Sequence, residues 1–133
     1  EVLELPAVLR AAGIVAQRMV RRICPDCGRK VKVSLLEQMI YTKEARDERT
    51  EFMFGKGCQT CGQTGYLGRM GIFELLQMTD ELRTMVVKGA STTEIRAEAL
   101  KQGMVTLLRD GMLKVKSNLT TPSEILRKAY SME

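Results

Sequence analysis

Four cysteines in two Cys-x-x-Cys pairs most constrain how this chain can fold. They are Cys24, Cys27, Cys58 and Cys61, and a glycine follows each pair at once. Two thiolates from one tight turn can bind a single metal ion, and a second such turn completes a tetrahedral set of four sulfurs. The pattern therefore favours one structural zinc ion, because four cysteine ligands leave no open coordination position for catalysis.

Other uses of the cysteines stay open at the level of sequence. Two disulfides would require an oxidising compartment, and we expect no signal peptide, since Glu1 and Glu4 lie where its basic segment would be. A dithiol redox motif would account for one pair but not for both. Free thiols and an iron site also fit the pattern.

Basic residues surround the first cysteine pair. Residues 18–32 hold six cationic side chains and one acidic one, which equals the net charge of +5, because the other residues hold 15 of each sign. The six are Arg18, Arg21, Arg22, Arg29, Lys30 and Lys32. This basic cluster indicates either an anionic partner, such as nucleic acid, lipid headgroups, nucleotide phosphate or an acidic protein surface, or cations at a solvated helix end.

Composition argues against catalysis by this chain alone. With 133 residues, 44% hydrophobic and 28% charged, the chain suits one modest globular domain or two very small ones. It has no histidine, the commonest acid–base residue, and no G-x4-G-K-[ST] phosphate-binding loop. No apolar run reaches the length of a membrane span. The start lacks an initiator methionine, so we expect a fragment of a longer protein.

Hydrophobic spacing predicts helices and short strands. Apolar residues between Leu9 and Ile23 recur at about helical spacing, which predicts a first helix over 5–23. Ser34 followed by Glu37 predicts a capped helix over 34–48. Short strands are expected at 30–33, at 52–54, and as two strands within 65–76 that turn at Gly68 or Gly71. Four further short helices are expected over 79–89, 91–103, 105–116 and 122–131.

Three segments together resemble a known family. They read "IVAQRMVRRICPDC", "GCQTCGQTGYLGRMGIFELL" and "SEILR". They are similar to the C-terminal part of the assembly ATPases of bacterial type II secretion and type IV pilus systems, the general secretion pathway protein E-like family. The resemblance covers nearly the whole chain. At Leu9-Arg10 the chain departs from the family, which often has a pair of serines there.

The resemblance implies a fold and a division of the chain. The family inserts a tetracysteine zinc module after a RecA-like ATPase core, and the four cysteines here match that module one for one. The predicted fold is α+β and mostly α: a small zinc-stapled module with short strands, followed by a C-terminal bundle of short helices. The expected parts are a helix from the end of the core (1–23), the zinc module (24–76) and a C-terminal helical domain (77–133).

The resemblance also implies a function. The parent would be a hexameric cytoplasmic ATPase, peripheral to the bacterial inner membrane, and the platform protein and other ATPase subunits would be its partners. This region would couple ATP-driven motion to the platform through structural Zn²⁺, while ATP and Mg²⁺ would bind only in the upstream core. We do not expect nucleic acid as a partner, although a nucleic-acid-binding zinc module is the alternative. A chaperone-type zinc domain is a third reading, weakened by Gln63 where that repeat has glycine.

Overall fold

The computed structural model describes Arg10 and residues 12–130. Its strands are β1 (Gly13–Ile23), β2 (Gly28–Lys32), β3 (Glu51–Gly55) and β4 (Tyr66–Gln77). Its helices are α1 (Leu35–Ala45), α2 (Asp80–Val87), α3 (Thr92–Lys101), α4 (Leu107–Lys116) and α5 (Pro122–Tyr130). More residues lie in helices than in strands, so the predicted α+β class is confirmed.

The strands form two separate ladders. β1 pairs with β4, and β2 pairs with β3 in an antiparallel arrangement. In the second ladder Gly28 lies opposite Gly55 and Lys32 lies opposite Glu51. Since α1 lies in the chain between β2 and β3, these three elements form an excursion that leaves one cysteine pair and returns to the other.

The first predicted helix is wrong over residues 13–23, whereas Arg10 is helical. Residues 13–23 form strand β1, while 5–9 and 11 lie outside the described residues. Ile14, Ala16, Arg18 and Val20 alternate with the more exposed Val15, Gln17 and Met19. This period of two belongs to a strand, but an arginine at an inner position obscures it in the sequence. Pairing with β4 satisfies the backbone of β1, which outweighs the local helical spacing.

The two strands expected within 65–76 are also wrong, because one strand runs through both glycines. β4 extends over Tyr66–Gln77 and has the long β1 as its ladder partner. This pairing carries the strand through Gly68 and Gly71, although Gly68 has φ +82°, a conformation that glycines in turns also adopt. The glycines were misread as turn signals for that reason.

Three of the helices follow their predicted starts, while the helix predicted from residue 105 begins at Leu107. Ser34, Thr79 and Ser91 each accept a hydrogen bond from a backbone N–H three residues later, as N-caps do. Ser34 also donates to Glu37, 2.9 Å away, which completes the predicted pairing of these two residues. Helix α1 ends earlier than expected, because Arg46 adopts a left-handed conformation (φ 53°) as its C-cap.

The chain packs as two compact units. One takes the described residues up to Ala16 together with Glu74–Thr106. In this unit α2 and α3 pack together, with Leu82 and Ala99 buried. Glu74 forms an ion pair with Arg96 at 3.4 Å.

The other unit takes Gln17–Phe73 and the described residues from Leu107 to Tyr130. Its core joins the excursion to the last two helices, because α1 packs on both α4 and α5. The Tyr41 ring meets the edge of the Phe52 ring at a centroid distance of 4.8 Å. A Cβ on Gly111 would lie 2.5 Å from Ile125, so the glycine in α4 allows α5 to approach closely.

A buried carboxylate links β1 to α5 within this second unit. Glu124 accepts the backbone N–H of Arg21 at 2.8 Å and the Arg21 guanidinium at 3.0 Å. Arg127 binds the same carboxylate at 2.9 Å. The Glu124 side chain is 0% exposed. These three donors therefore replace the water that would otherwise solvate its charge.

Neighbouring bonds extend this link. Thr120 donates to the carbonyl oxygen of Arg21 at 2.8 Å, and the N–H of Ile23 donates to Leu119 at 2.9 Å. Thr121 bonds the Tyr66 hydroxyl at 2.8 Å. The segment before α5 is thus fixed to the end of β1, directly beside the first cysteine pair.

Acid should remove the contribution of Glu124 to stability. Burial alone would raise the pKa of Glu124, but its bonds to Arg21 and Arg127 outweigh this and lower the pKa from 4.5 to about 2. A carboxylate whose pKa is lower in the folded chain stabilises the fold above pH 4.5, and that stabilisation disappears as the pH falls toward 2. We expect Glu124→Gln to lower the free energy of unfolding by about 3 kcal/mol at pH 7, measured by urea denaturation.

The difference between the wild type and Glu124→Gln should shrink between pH 4.5 and 2. Glu48→Gln is the matched control, because Glu48 is exposed and its replacement should change stability by less than about 0.5 kcal/mol. A Glu124→Gln protein as stable as the wild type at pH 7 would contradict a structural role for this carboxylate.

Candidate metal centre

The four cysteine sulfurs converge on one point. The Sγ atoms of Cys24 and Cys58 lie 3.8 Å apart, as do those of Cys27 and Cys61, and those of Cys58 and Cys61 lie 3.7 Å apart. All four lie within 4.8 Å of one another. The four cysteines are free, and their sulfurs are well beyond the about 2.05 Å of a disulfide.

The excursion explains how cysteines so far apart in sequence meet. Cys27 directly precedes β2, and Cys58 follows the end of β3 by three residues. Antiparallel pairing puts Gly28 opposite Gly55, so the chain returns to the place it left. The Lys56 N–H donates to the carbonyl of Cys27 at 2.9 Å and closes this return.

Backbone N–H groups surround the sulfurs. Gly57 donates to the Sγ of Cys27 at 3.3 Å. Cys58 and Gly65 both donate to the Sγ of Cys61, each at 3.2 Å. Such donors stabilise negative charge on sulfur, which favours the thiolate that a metal ion requires.

The environment divides the thiols by acidity. Burial would raise the pKa of Cys61, but the N–H groups of Cys58 and Gly65 lower it to about 6. Burial raises the pKa of Cys27 to about 12 and also raises that of Cys24. One thiol is therefore ready to ionise near neutral pH, while others hold their protons until a cation replaces them.

The donor set fits zinc. Four sulfurs at about 2.3 Å from a tetrahedral ion lie about 3.8 Å from one another, which matches the closest distances here. Cys24 and Cys61 are buried, and Cys27 and Cys58 are half-buried, so the cluster is largely shielded from water. These four residues could hold one metal ion with no open position.

A close crossing of two glycines supports the second cysteine pair. A Cβ on Gly55 would lie 1.8 Å from the carbonyl oxygen of Gly65, and a Cβ on Gly65 would lie 2.4 Å from that of Gly55. Gly65 also has φ +82°, which side-chain-bearing residues rarely adopt. The crossing places the N–H of Gly65 where it donates to the Sγ of Cys61 at 3.2 Å.

The basic cluster does not form one free surface. Arg22, Arg29, Lys30 and Lys32 are exposed. Arg21 is bound to Glu124 and lies over the Tyr66 ring at 4.2 Å, and half-buried Arg18 donates to the carbonyl of Gln17. Binding of a partner by all six cations stays a prediction, but Arg21 also has a structural role.

Sequence reasoning missed the residues that position the sulfurs. Gly57 and Gly65 donate backbone N–H groups to the cysteine sulfurs. Glu124 binds Arg21, from which it lies 103 positions away in the sequence, and so holds the strand that leads into Cys24. A glycine directly before Cys58 and another four residues after Cys61 were the available signals. Nothing in the sequence pairs Glu124 with Arg21.

The cluster should bind one zinc ion per chain. The native mass should exceed the denatured, reduced mass by one zinc, because four converging thiols match its ligand preference. Replacement of Cys58 and Cys61 by serine should abolish this difference. A native mass without metal and four protons lighter would instead indicate two disulfides and contradict the site.

The glycine crossing should tolerate no side chain. Gly55→Ala places a methyl group inside backbone atoms, so we expect loss of the folded unit or a decrease of several kcal/mol in unfolding free energy. Gly62→Ala is the control: Gly62 has φ +63° but open space around it, and we expect a decrease of about 1 kcal/mol. Thermal and urea denaturation measure the stability of both variants. A Gly55→Ala protein as stable as the Gly62→Ala protein would contradict the close crossing.

Comparison with known proteins agrees with the resemblance. Residues 6–127 match the type II/IV secretion system protein family. The chain is 40% identical over 117 residues to the type IV pilus assembly ATPase PilB of Thermus thermophilus, covering 87% of this chain and 13% of that protein. It is 39% identical over 115 residues to the type II secretion system protein E of Dickeya dadantii, covering 86% of this chain and 22% of that protein.

A third relative shows the same partial coverage. The type IV pilus assembly ATPase PilB of Myxococcus xanthus is 35% identical over 116 residues, covering 85% of this chain and 20% of that protein. The chain thus spans less than a quarter of the length of each of these three relatives. Because the family match extends over most of the sequence, this chain belongs to the type II/IV secretion system protein family.

Proposed function

We propose that this chain is the zinc-binding and helical region of a hexameric ATPase that powers type II secretion or type IV pilus assembly. In this proposal it couples ATP-driven motion to the platform protein of the inner membrane. The match to relatives that are named pilus assembly ATPases and type II secretion proteins carries the proposal.

ATP chemistry in this proposal belongs to a longer parent protein. The chain has no G-x4-G-K-[ST] sequence to bind the phosphates, so ATP and Mg²⁺ would be bound by other parts of the parent. The chain by itself would then have no ATPase activity. Its task would be mechanical.

Zinc would supply rigidity and no catalytic group. Cys24, Cys27, Cys58 and Cys61 would hold it, and a four-cysteine site contributes folding free energy. The protein's own contribution is to bring the two cysteine pairs together through β2, α1 and β3. A stiff module suits a part that must pass on small displacements.

The links around Glu124 support force transmission inside the second unit. β1 leads into Cys24, and its Arg21 and Ile23 are bonded to Glu124 and Leu119. The N–H of Cys24 in turn donates to Gly65 at 3.0 Å. A displacement of β1 would therefore move both cysteine pairs and α5 together.

The exposed part of the basic cluster is the proposed contact with the platform. Arg22, Arg29, Lys30 and Lys32 carry positive charge beside the first cysteine pair. Charges of this kind speed association with an acidic surface and orient it. No described helix is long and apolar enough to cross a membrane. In the proposal, the protein acts in the cytoplasm and reaches the inner membrane through its partner.

Charge reversal should separate contact from folding. In the full-length parent, Arg29→Glu with Lys32→Glu should abolish secretion or piliation and weaken platform binding at least tenfold. The double substitution replaces two exposed cations of the proposed contact by anions, which an acidic surface repels. Lys88→Glu with Lys101→Glu is the matched control, since it changes the charge equally at exposed residues of the other unit. Pull-down with the platform protein and the secretion or piliation assay measure the effects.

Arg21 is left unchanged in this test because its loss would unpair buried Glu124. Full activity of the Arg29 and Lys32 variant would contradict the proposed contact. Steeply salt-dependent binding of DNA or RNA that the same variant loses would instead favour a nucleic-acid-binding module.

A further inference from the structure

A basic cavity lies in the second unit, formed by β1, β4 and α5. Its volume is about 360 Å³, and its lining residues are Met19, Val20, Arg21, Arg69, Arg127 and Lys128. Three separate elements therefore bring four cationic side chains to one concave site. Only Arg21 among these four belongs to the basic cluster seen in the sequence.

The cavity keeps a surplus of positive charge. Its three arginines share one carboxylate, that of Glu124, which gives these four side chains a net charge of two positive units. Glu124 is fully buried and does not line the cavity, whereas the side chains of Arg21 and Arg127 are 43% and 54% exposed. The anion that holds the two arginines is thus hidden behind them, and their open sides meet solvent.

Two of the guanidinium groups are fixed in position. Arg21 uses Nε and Nη2 to bind Glu124 and lies 4.2 Å above the Tyr66 ring. Arg127 uses Nη2 for the same carboxylate. Nη1 of Arg21 and both Nε and Nη1 of Arg127 make no bond with the described residues. Donors held in place before a ligand arrives lose little conformational entropy when it binds.

Arg69 completes the site from β4. It is exposed and has no ion-pair partner among the described residues. Its planar donors match the oxygen geometry of phosphate.

We propose that this cavity binds a diphosphate group, either free or as part of a nucleotide. Guanidinium groups bind phosphate oxygens through paired N–H bonds, and two linked phosphoryl groups can contact arginines on different elements at once. A diphosphate also offsets more of the surplus charge than a single phosphate does. Binding at this cavity does not depend on the proposed function.

Titration with inorganic pyrophosphate tests the site directly. Isothermal calorimetry on the full chain, in buffer of fixed salt without phosphate, should show one site per chain. Arg69→Gln should weaken the affinity about tenfold or more, because it removes a charged donor. Lys101→Gln removes the same charge from the other unit and should leave the affinity within about twofold of the wild type.

Folding controls keep this comparison clear. Arg69 makes no ion pair with a described residue, so Arg69→Gln should have the same urea midpoint as the wild type. In ¹⁵N-filtered NMR spectra, the Nε–H signals of Arg69 and Arg127 should shift as pyrophosphate binds, whereas that of Arg83, in the other unit, should not. No binding by the wild type, or equal binding by Arg69→Gln, would overturn the proposal.

The source of the diphosphate follows from a second titration. If ADP binds at least tenfold more tightly than pyrophosphate and competes with it, the diphosphate of a nucleotide is the ligand. If ADP and pyrophosphate bind equally, the cavity recognises the diphosphate alone. If inorganic phosphate binds as tightly as both, the site does not select a diphosphate and the proposal is wrong.

Discussion

Contact among four cysteine sulfurs closes the excursion formed by β2, α1 and β3 and fixes the position of the segments on either side of it. The sulfurs of Cys24 and Cys58 are 3.8 Å apart although the two residues are 34 positions apart in the sequence. Such a contact among thiols is weak by itself and becomes strong only when a cation replaces the protons. Three features hold the sulfurs close together and favour their ionised form. They are the β2–β3 ladder, the glycine crossing and the N–H donors from Gly57 and Gly65.

Buried Glu124 extends the same constraint to the end of the chain. Its bonds to Arg21 fix α5 against the strand that leads into Cys24. Because Arg127 shares the carboxylate, one negative charge orients two guanidinium groups. The metal centre, the proposed transmission of force and the basic cavity therefore depend on one connected set of contacts.

Local signals in the sequence predicted much of this arrangement. The rest depends on pairing between residues that are far apart in the sequence, which those signals do not reveal. Ser34, Thr79 and Ser91 identified helix starts because an N-cap acts within three residues, and the cysteine spacing predicted the sulfur cluster. β1 was mistaken for a helix because its partner β4 lies about 50 residues away and Arg18 interrupts the alternation. Glu124 could not be found from sequence, since a buried carboxylate reads as an ordinary surface residue of an amphipathic helix until its partner is known.

Amide hydrogen exchange with and without bound zinc tests most directly whether the sulfur cluster holds the unit together. We expect chelation of zinc to speed exchange at Cys24 and Gly65 and also at Arg21 and Ile23, whose N–H groups bond to Glu124 and Leu119. Faster exchange confined to the cysteine turns, with Arg21 and Ile23 still protected, would contradict it. The metal would then be a local brace, and the Glu124 contacts would hold β1 and α5 on their own.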